Sequence, residues 1–194
     1  MRRSSIQRLA VGGVIGPVAF AATWAILGAT TRGYSPISDA ISDLAATHAP
    51  KRAAMTLAFV VFGVGVIAFG FALRAAGAGP AWMSAVATAC FTLAVAATPL
   101  GGPTRDVVHG AFASLGYITL IGVPLLAARP VARAGHTGWA RYAVATAIIA
   151  GTGLLASAAG PAHGLFQRIG LTTGDAWLVA TALRLVFVRS PFEA

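Results

Sequence analysis

Residues 53–73 read AAMTLAFVVFGVGVIAFGFAL, with Lys51 and Arg52 before them and Arg74 after. No charge interrupts the run, and its length is close to the roughly 20 residues a helix needs to cross the hydrocarbon core of a bilayer. Outward from it, residues 9–29, 81–100 and 142–160 are also uncharged, and residues 107–128 contain His109 as their one titratable group. A sixth segment, 176–188, contains Arg184 and reaches spanning length only if it begins near Leu171, which draws Asp175 inside the membrane boundary. The alternative is five spans followed by a re-entrant or surface segment.

Composition agrees. Of 194 residues, 57% are hydrophobic and only 10% charged, and the mean hydropathy is +0.79. A water-soluble domain carries about 25% charged residues, and a disordered chain needs low hydrophobicity with high charge. The single cysteine, Cys90, excludes a disulfide framework and a cysteine zinc site. The net charge of +9 does not point to nucleic acid, because the basic residues sit at the ends of apolar runs, where they set membrane orientation. The expected fold is all-α: a polytopic helix bundle with six transmembrane helices forming a single membrane domain over residues 1–194, in the plasma (inner) membrane.

Arg2, Arg3 and Arg8 precede the first run, but the run is longer than the 7–15 residues of a signal-peptide core and is read as a retained span. With the N-terminus inside, eight basic residues fall on inner segments (Arg2, Arg3, Arg8, Arg74, Arg129, Arg133, Arg141 and Arg189). Five fall outside: Arg32, Lys51, Arg52, Arg105 and Arg168. Arg184 snorkels inward, so the orientation is N-in/C-in. His136 and Glu193 share that inner side. Trp82, Trp139 and Trp177 are expected at span ends. Gly12, Gly13, Gly16, Gly151 and Gly153 let helix backbones approach closely in lipid.

That orientation collects Asp39, Asp43, Asp106 and Asp175 on the outer side together with His48, His109 and His163. In the first outer loop Ser35 suits a helix N-cap and Pro36 the first helical position. Ile37, Ile41 and Leu44 then form an apolar stripe, and Ser38/Ser42 and Asp39/Asp43 repeat one turn apart. Asp39 and Asp43 read as ligands for a cation, metal or headgroup, as general bases, or as acids satisfied by a helix dipole.

In the second outer loop Thr104 is expected to cap a helix with Asp106 in its first turn, and Asp106 and His109 share a face. The pair reads as half a metal site or an acid–base couple, or as a dipole-stabilising acid beside a hydrogen-bonded histidine. An ionisable group within a span is costly without a role, which favours a functional His109. In the third stretch Thr172 and Asp175 resemble a capping box. Gln167 and Arg168 are placed to hold a phosphate or carboxylate headgroup, or simply to attract anionic lipid. His163, after Gly160 and Pro161, reads equally as a loop histidine or a ligand. No nucleophile elbow, phosphate loop or His-Glu-x-x-His run is present.

Two segments, Tyr34-Ser35-Pro36-Ile37-Ser38-Asp39-Ala40-Ile41-Ser42-Asp43-Leu44-Ala45 and Gly164-Leu165-Phe166-Gln167-Arg168-Ile169-Gly170-Leu171-Thr172-Thr173-Gly174-Asp175, resemble a bacterial and archaeal membrane family, domain of unknown function 998. The resemblance implies six helices and no established activity. More distantly, Ile37-Ser38-Asp39 is similar to the eukaryotic DRAM and Frag membrane proteins, some tied to lipid remodelling.

Two functions follow from these residues. In the first, an outward-facing site of Asp39, Asp43, Asp106, His109, His163, Gln167, Arg168 and Asp175 binds, and in one version modifies, a membrane lipid or other amphiphile. In the second, the protein is a non-catalytic interaction or assembly protein, and these side chains are caps and interfacial anchors. A solute or proton carrier is disfavoured, because few polar groups interrupt the spans.

Overall fold

The computed structural model describes residues 3–188 and 190–192; Arg2, Arg189 and Glu193 of the orientation argument lie outside the described residues. The helices are α1 (Arg3–Ala10), α2 (Gly12–Thr30), α3 (Arg52–Ala75), α4 (Ala81–Ala97), α5 (Pro103–Arg133), α6 (Thr137–Ala156) and α7 (His163–Phe187), with a short 3-10 helix at Ile41–Ala45. Val11 barely separates α1 from α2: its N–H still donates to the Gln7 carbonyl (3.2 Å), and its own carbonyl accepts from Val14 and Ile15 (3.0 Å each). The two form one rod, Arg3–Thr30. That rod, α3, α5, α6 and α7 are long and apolar enough to cross a membrane, while α4 is a shorter apolar helix. The protein is thus an all-helical, multi-pass membrane protein.

Each helix from α2 to α7 lies against the next, and α7 closes the bundle against α2. Many large aliphatics project outward, as at Ile26 (62% exposed) and Leu155 (78%), while the interior is richest in alanine, with leucines, valines and phenylalanines packed among the small residues. This is the pattern of a protein whose solvent is lipid: apolar groups gain nothing by hiding from hydrocarbon, so close fit decides what goes inside. The small residues act accordingly. A Cβ added to Gly65 of α3 would stand 2.6 Å from the Gly12 carbonyl oxygen of α2, and one added to Gly153 of α6 would stand 2.9 Å from the Gly170 nitrogen of α7.

The alternating helices put residues 31–51, 98–102 and 157–162 at one end of the bundle. The Thr47 N–H donates to the Leu100 carbonyl (2.8 Å), and the Leu165 N–H to the Ile37 carbonyl (3.0 Å). At the other end, Arg3 donates to the Val188 carbonyl (2.6 Å) and Gln7 to that of Val186 (2.8 Å). There Arg74 lies 4.9 Å from the ring centre of Trp82, and Arg184 lies 5.2 Å from that of Trp139. Trp82 and Trp139 open α4 and α6, at span ends as expected. Trp177 does not: it is wholly buried within α7.

The largest departure from the sequence reading concerns the last helix. It starts at His163, well before the expected 176, and carries Gln167, Arg168 and Asp175 as helical residues. Thr172 and Asp175 therefore form no capping box; both lie mid-helix. Polar and charged residues from 167 to 175 hide the span from a hydropathy reading. Gln167, Arg168 and Asp175 are nevertheless buried in the bundle, and the Thr173 hydroxyl donates to the Ile169 carbonyl one turn back. Similarly, α5 starts at Pro103 in the first helical turn with Gly102 as its N-cap, so Thr104 is not the cap.

Candidate functional site

The segment between α2 and α3 folds over one end of the bundle. It does not form the expected α-helix over residues 36–44, but a turn followed by the 3-10 helix Ile41–Ala45. Side-chain competition for the backbone explains the change. The Asp39 carboxylate accepts the Ser35 N–H (2.7 Å) and the Ser38 hydroxyl (3.0 Å), and the Asp43 carboxylate accepts the Ala40 N–H (2.8 Å). Each acid closes its own turn, so the Asp39/Asp43 pair is not stacked along one helix. The apolar stripe splits too: Ile41 and Leu44 are buried while Ile37 is exposed.

Arg168 fastens this segment to α7. Its Nη1 donates to the carbonyls of Pro36 (2.8 Å), Asp39 (2.9 Å) and Gly164 (2.8 Å), and its Nη2 to the Tyr34 hydroxyl. The guanidinium also lies 5.3 Å from the Trp24 ring centre and 5.5 Å from that of Tyr34. A planar group with five donors and no acceptor suits a cluster of carbonyls. Arg168 is 7% exposed, and the expected headgroup fork is instead turned inward. Gln167 works alongside it: its Oε1 accepts the Ile41 N–H (2.8 Å) and its Nε2 donates to the Tyr117 hydroxyl (2.5 Å).

Two cavities lie on either side of the 3-10 helix. The outer one, about 280 Å3, is polar and open, with Tyr34, Asp39, Asp43, His48 and Lys51 on its walls. Burial pushes the Asp43 carboxyl above the ordinary carboxylate range; the Asp39 charge adds to this, against the Ala40 hydrogen bond and the neighbouring His163 and His109. Burial likewise raises the Tyr34 phenol, with Arg168 opposing. Asp106 is elsewhere, exposed on α5, where it accepts the N–H groups of Gly101 (2.9 Å) and Gly102 (3.4 Å). It does not share a site with His109, which turns into the bundle.

The inner cavity, about 60 Å3, is walled by Phe20, Phe59, Phe62 and Phe112 and also touched by His109 and Asp175. His109 is 4% exposed and its Nδ1 lies 2.7 Å from the Thr98 carbonyl oxygen. A carbonyl only accepts, so Nδ1 carries the proton, and in the neutral ring Nε2 is a bare acceptor. Among the described residues Nε2 is buried with no hydrogen-bond partner, and so is Asp175 Oδ1. Asp175 stands twelve residues past the start of α7, about 18 Å along the helix. It is deep in a span rather than at the outer border where the sequence placed it. Ser42, Tyr117 and Gln167 also border this cavity. Tyr117 was missed by sequence reasoning, although a lone phenol inside a span was the available signal. Among the described residues no three His, Cys, Asp or Glu side chains gather as metal ligands.

The fold and this inner chamber define a class: a polytopic helical membrane protein with a capped, mostly apolar cavity, bordered by two buried polar atoms that are unpartnered among the described residues. The sequence profile described as "Protein of unknown function (DUF998)" matches residues 14–184. The chain belongs to that family. No curated protein and no solved structure matches it, so membership brings no activity with it, and the likeness to the DRAM and Frag proteins stays a resemblance of one short segment.

Proposed function

We propose that the protein binds a small amphiphile, with its polar end at His109 and Asp175 and its apolar part admitted as the cavity phenylalanines move apart. The space of about 60 Å3 by itself holds only a few water-sized groups. One observation carries this reading: two buried and unpartnered polar atoms, His109 Nε2 and Asp175 Oδ1, border the same cavity. A buried polar group without a partner costs about 1–3 kcal/mol, and ionisable groups at membrane depth mark sites of function. A ligand hydroxyl or amine would satisfy both acceptors. The 3-10 helix would act as the cover, held by Gln167 and Arg168, with the polar outer cavity as its approach. Asp39 and Asp43 line that approach rather than the seat of the ligand, and His163, at the start of α7, is an electrostatic neighbour of Asp43. The single domain spans residues 1–194 in this reading, in the plasma membrane, with the arginine-rich end inside.

The test is native mass spectrometry of the full chain in mild detergent. The wild type should retain a small amphiphile that Asp175→Leu and His109→Phe both lose. Apo Asp175→Leu should also be more heat-stable than apo wild type by about 1–3 kcal/mol, because an unsatisfied acceptor is gone.

A second reading has its own support. Asp39, Asp43 and Asp106 each accept hydrogen bonds from neighbouring backbone N–H groups, which fits a non-catalytic assembly protein whose acids are structural. A wild type that carries nothing, with both variants active in cells, would favour it.

A further inference from the structure

At the opposite end of the bundle, a groove of about 600 Å3 runs between α5 and α6. That is within the roughly 300–1,000 Å3 of ligand sites. Its floor is made of small side chains, Ala128 and Ala140, which are nearly buried, and its walls include Val144 and Ile148, which face the lipid. Arg129 and Arg141 flank the groove where it meets the end of the bundle. Both are exposed, and neither makes a hydrogen bond or ion pair among the described residues.

We infer that this groove is a binding site for an anionic phospholipid, with an acyl chain along Ala140, Val144 and Ile148 and the phosphate between Arg129 and Arg141. Charge complementarity commits the site to that occupant. The same end of the bundle carries Arg3, Arg8, Arg74, Arg133 and Arg184, and among the described residues no Asp or Glu faces them. Two guanidinium groups can grip one phosphate with paired, charge-assisted hydrogen bonds, and basic pockets between spans recognise such headgroups. The first turn of α6 adds its dipole to the same point. An apolar partner helix would use the alanine floor but would leave both arginines without a role. The groove has no residue in common with the inner cavity, so this site and the proposed amphiphile site fail independently.

The experiment titrates phosphatidylglycerol, and separately phosphatidylcholine, into the delipidated full chain and counts bound lipid by native mass spectrometry. Wild type should prefer phosphatidylglycerol. Each arginine near the surface contributes about a five-fold gain, so Arg129→Gln with Arg141→Gln should weaken binding about 30-fold. Ala145→Phe, on the exposed groove wall, should weaken it without changing any charge. Arg8→Gln, at the same end but on α1, which packs on α2, α3 and α7, should leave it within about two-fold, since screening confines the effect of a distant exposed charge. Equal binding of both lipids, an unaffected double variant, or a loss as large from Arg8→Gln would overturn the site.

Discussion

Arg168 shows how much one side chain can organise here. Three carbonyls and a phenol converge on a guanidinium that has no carboxylate partner among the described residues. Replacing it with Met would remove the guanidinium donors from the Pro36 and Asp39 carbonyls and loosen the 34–45 segment, which stays tied to α7 by the Leu165–Ile37 and Ile41–Gln167 bonds. The expected cost is about 3–5 kcal/mol, read by thermal unfolding in detergent. Lys should not rescue it, since a compact ammonium cannot copy the planar fork.

Asp43 makes a different prediction at the same scale. Its carboxyl is raised in the folded protein, so folding favours its protonated form. Its unfavourable contribution is absent below the ordinary carboxylate value of about 3.9 and grows as pH rises through the folded value. Asp43→Asn keeps an oxygen for the Ala40 N–H and removes the charge. It should be more stable than wild type at neutral pH, with the difference vanishing toward pH 3.5 or so; melts across pH check this. The sequence showed which carboxylates were present in this segment, but not that each would close its own turn, because that depends on backbone angles a spacing rule does not contain.

At the scale of helices, close backbone approach decides the outcome of small changes. Gly65→Ala would push a methyl into the α2 backbone and should cost about 1–3 kcal/mol by overpacking. Gly110→Ala on α5 meets nothing within 4 Å and should instead gain up to about 1 kcal/mol from helix propensity. Opposite shifts in melting temperature for the same substitution are the readout. The abundance of glycine was legible in advance, but which glycine touches a neighbouring backbone was not. The start of α7 was hidden for a related reason. Gln167, Arg168 and Asp175 look like loop residues by hydropathy, and only their inward bonds and burial make them compatible with a span.

Over the whole molecule, the ends of the bundle differ in charge: all the described acids but Asp175 lie at the end capped by residues 31–51, and among the described residues the other end holds a cluster of arginines and no acid. The orientation rule then predicts that a cysteine placed at residue 48 reacts with an impermeant reagent from outside the cell, and one placed at residue 134 only after permeabilisation. The reverse pattern would invert the proposed approach to the cavity. Amino-acid order by itself determined the class of the protein, the apolar spans and the charge asymmetry, because partition into lipid and attraction to one membrane face depend on composition along the chain. Tertiary structure alone decided that Asp106 stays at the surface, that Arg168 is a fastener, and that His109 and Asp175 reach one cavity. Those outcomes turn on which faces of separate helices meet, and that is fixed by the fit of α5 and α7 around the bundle interior rather than by any local pattern.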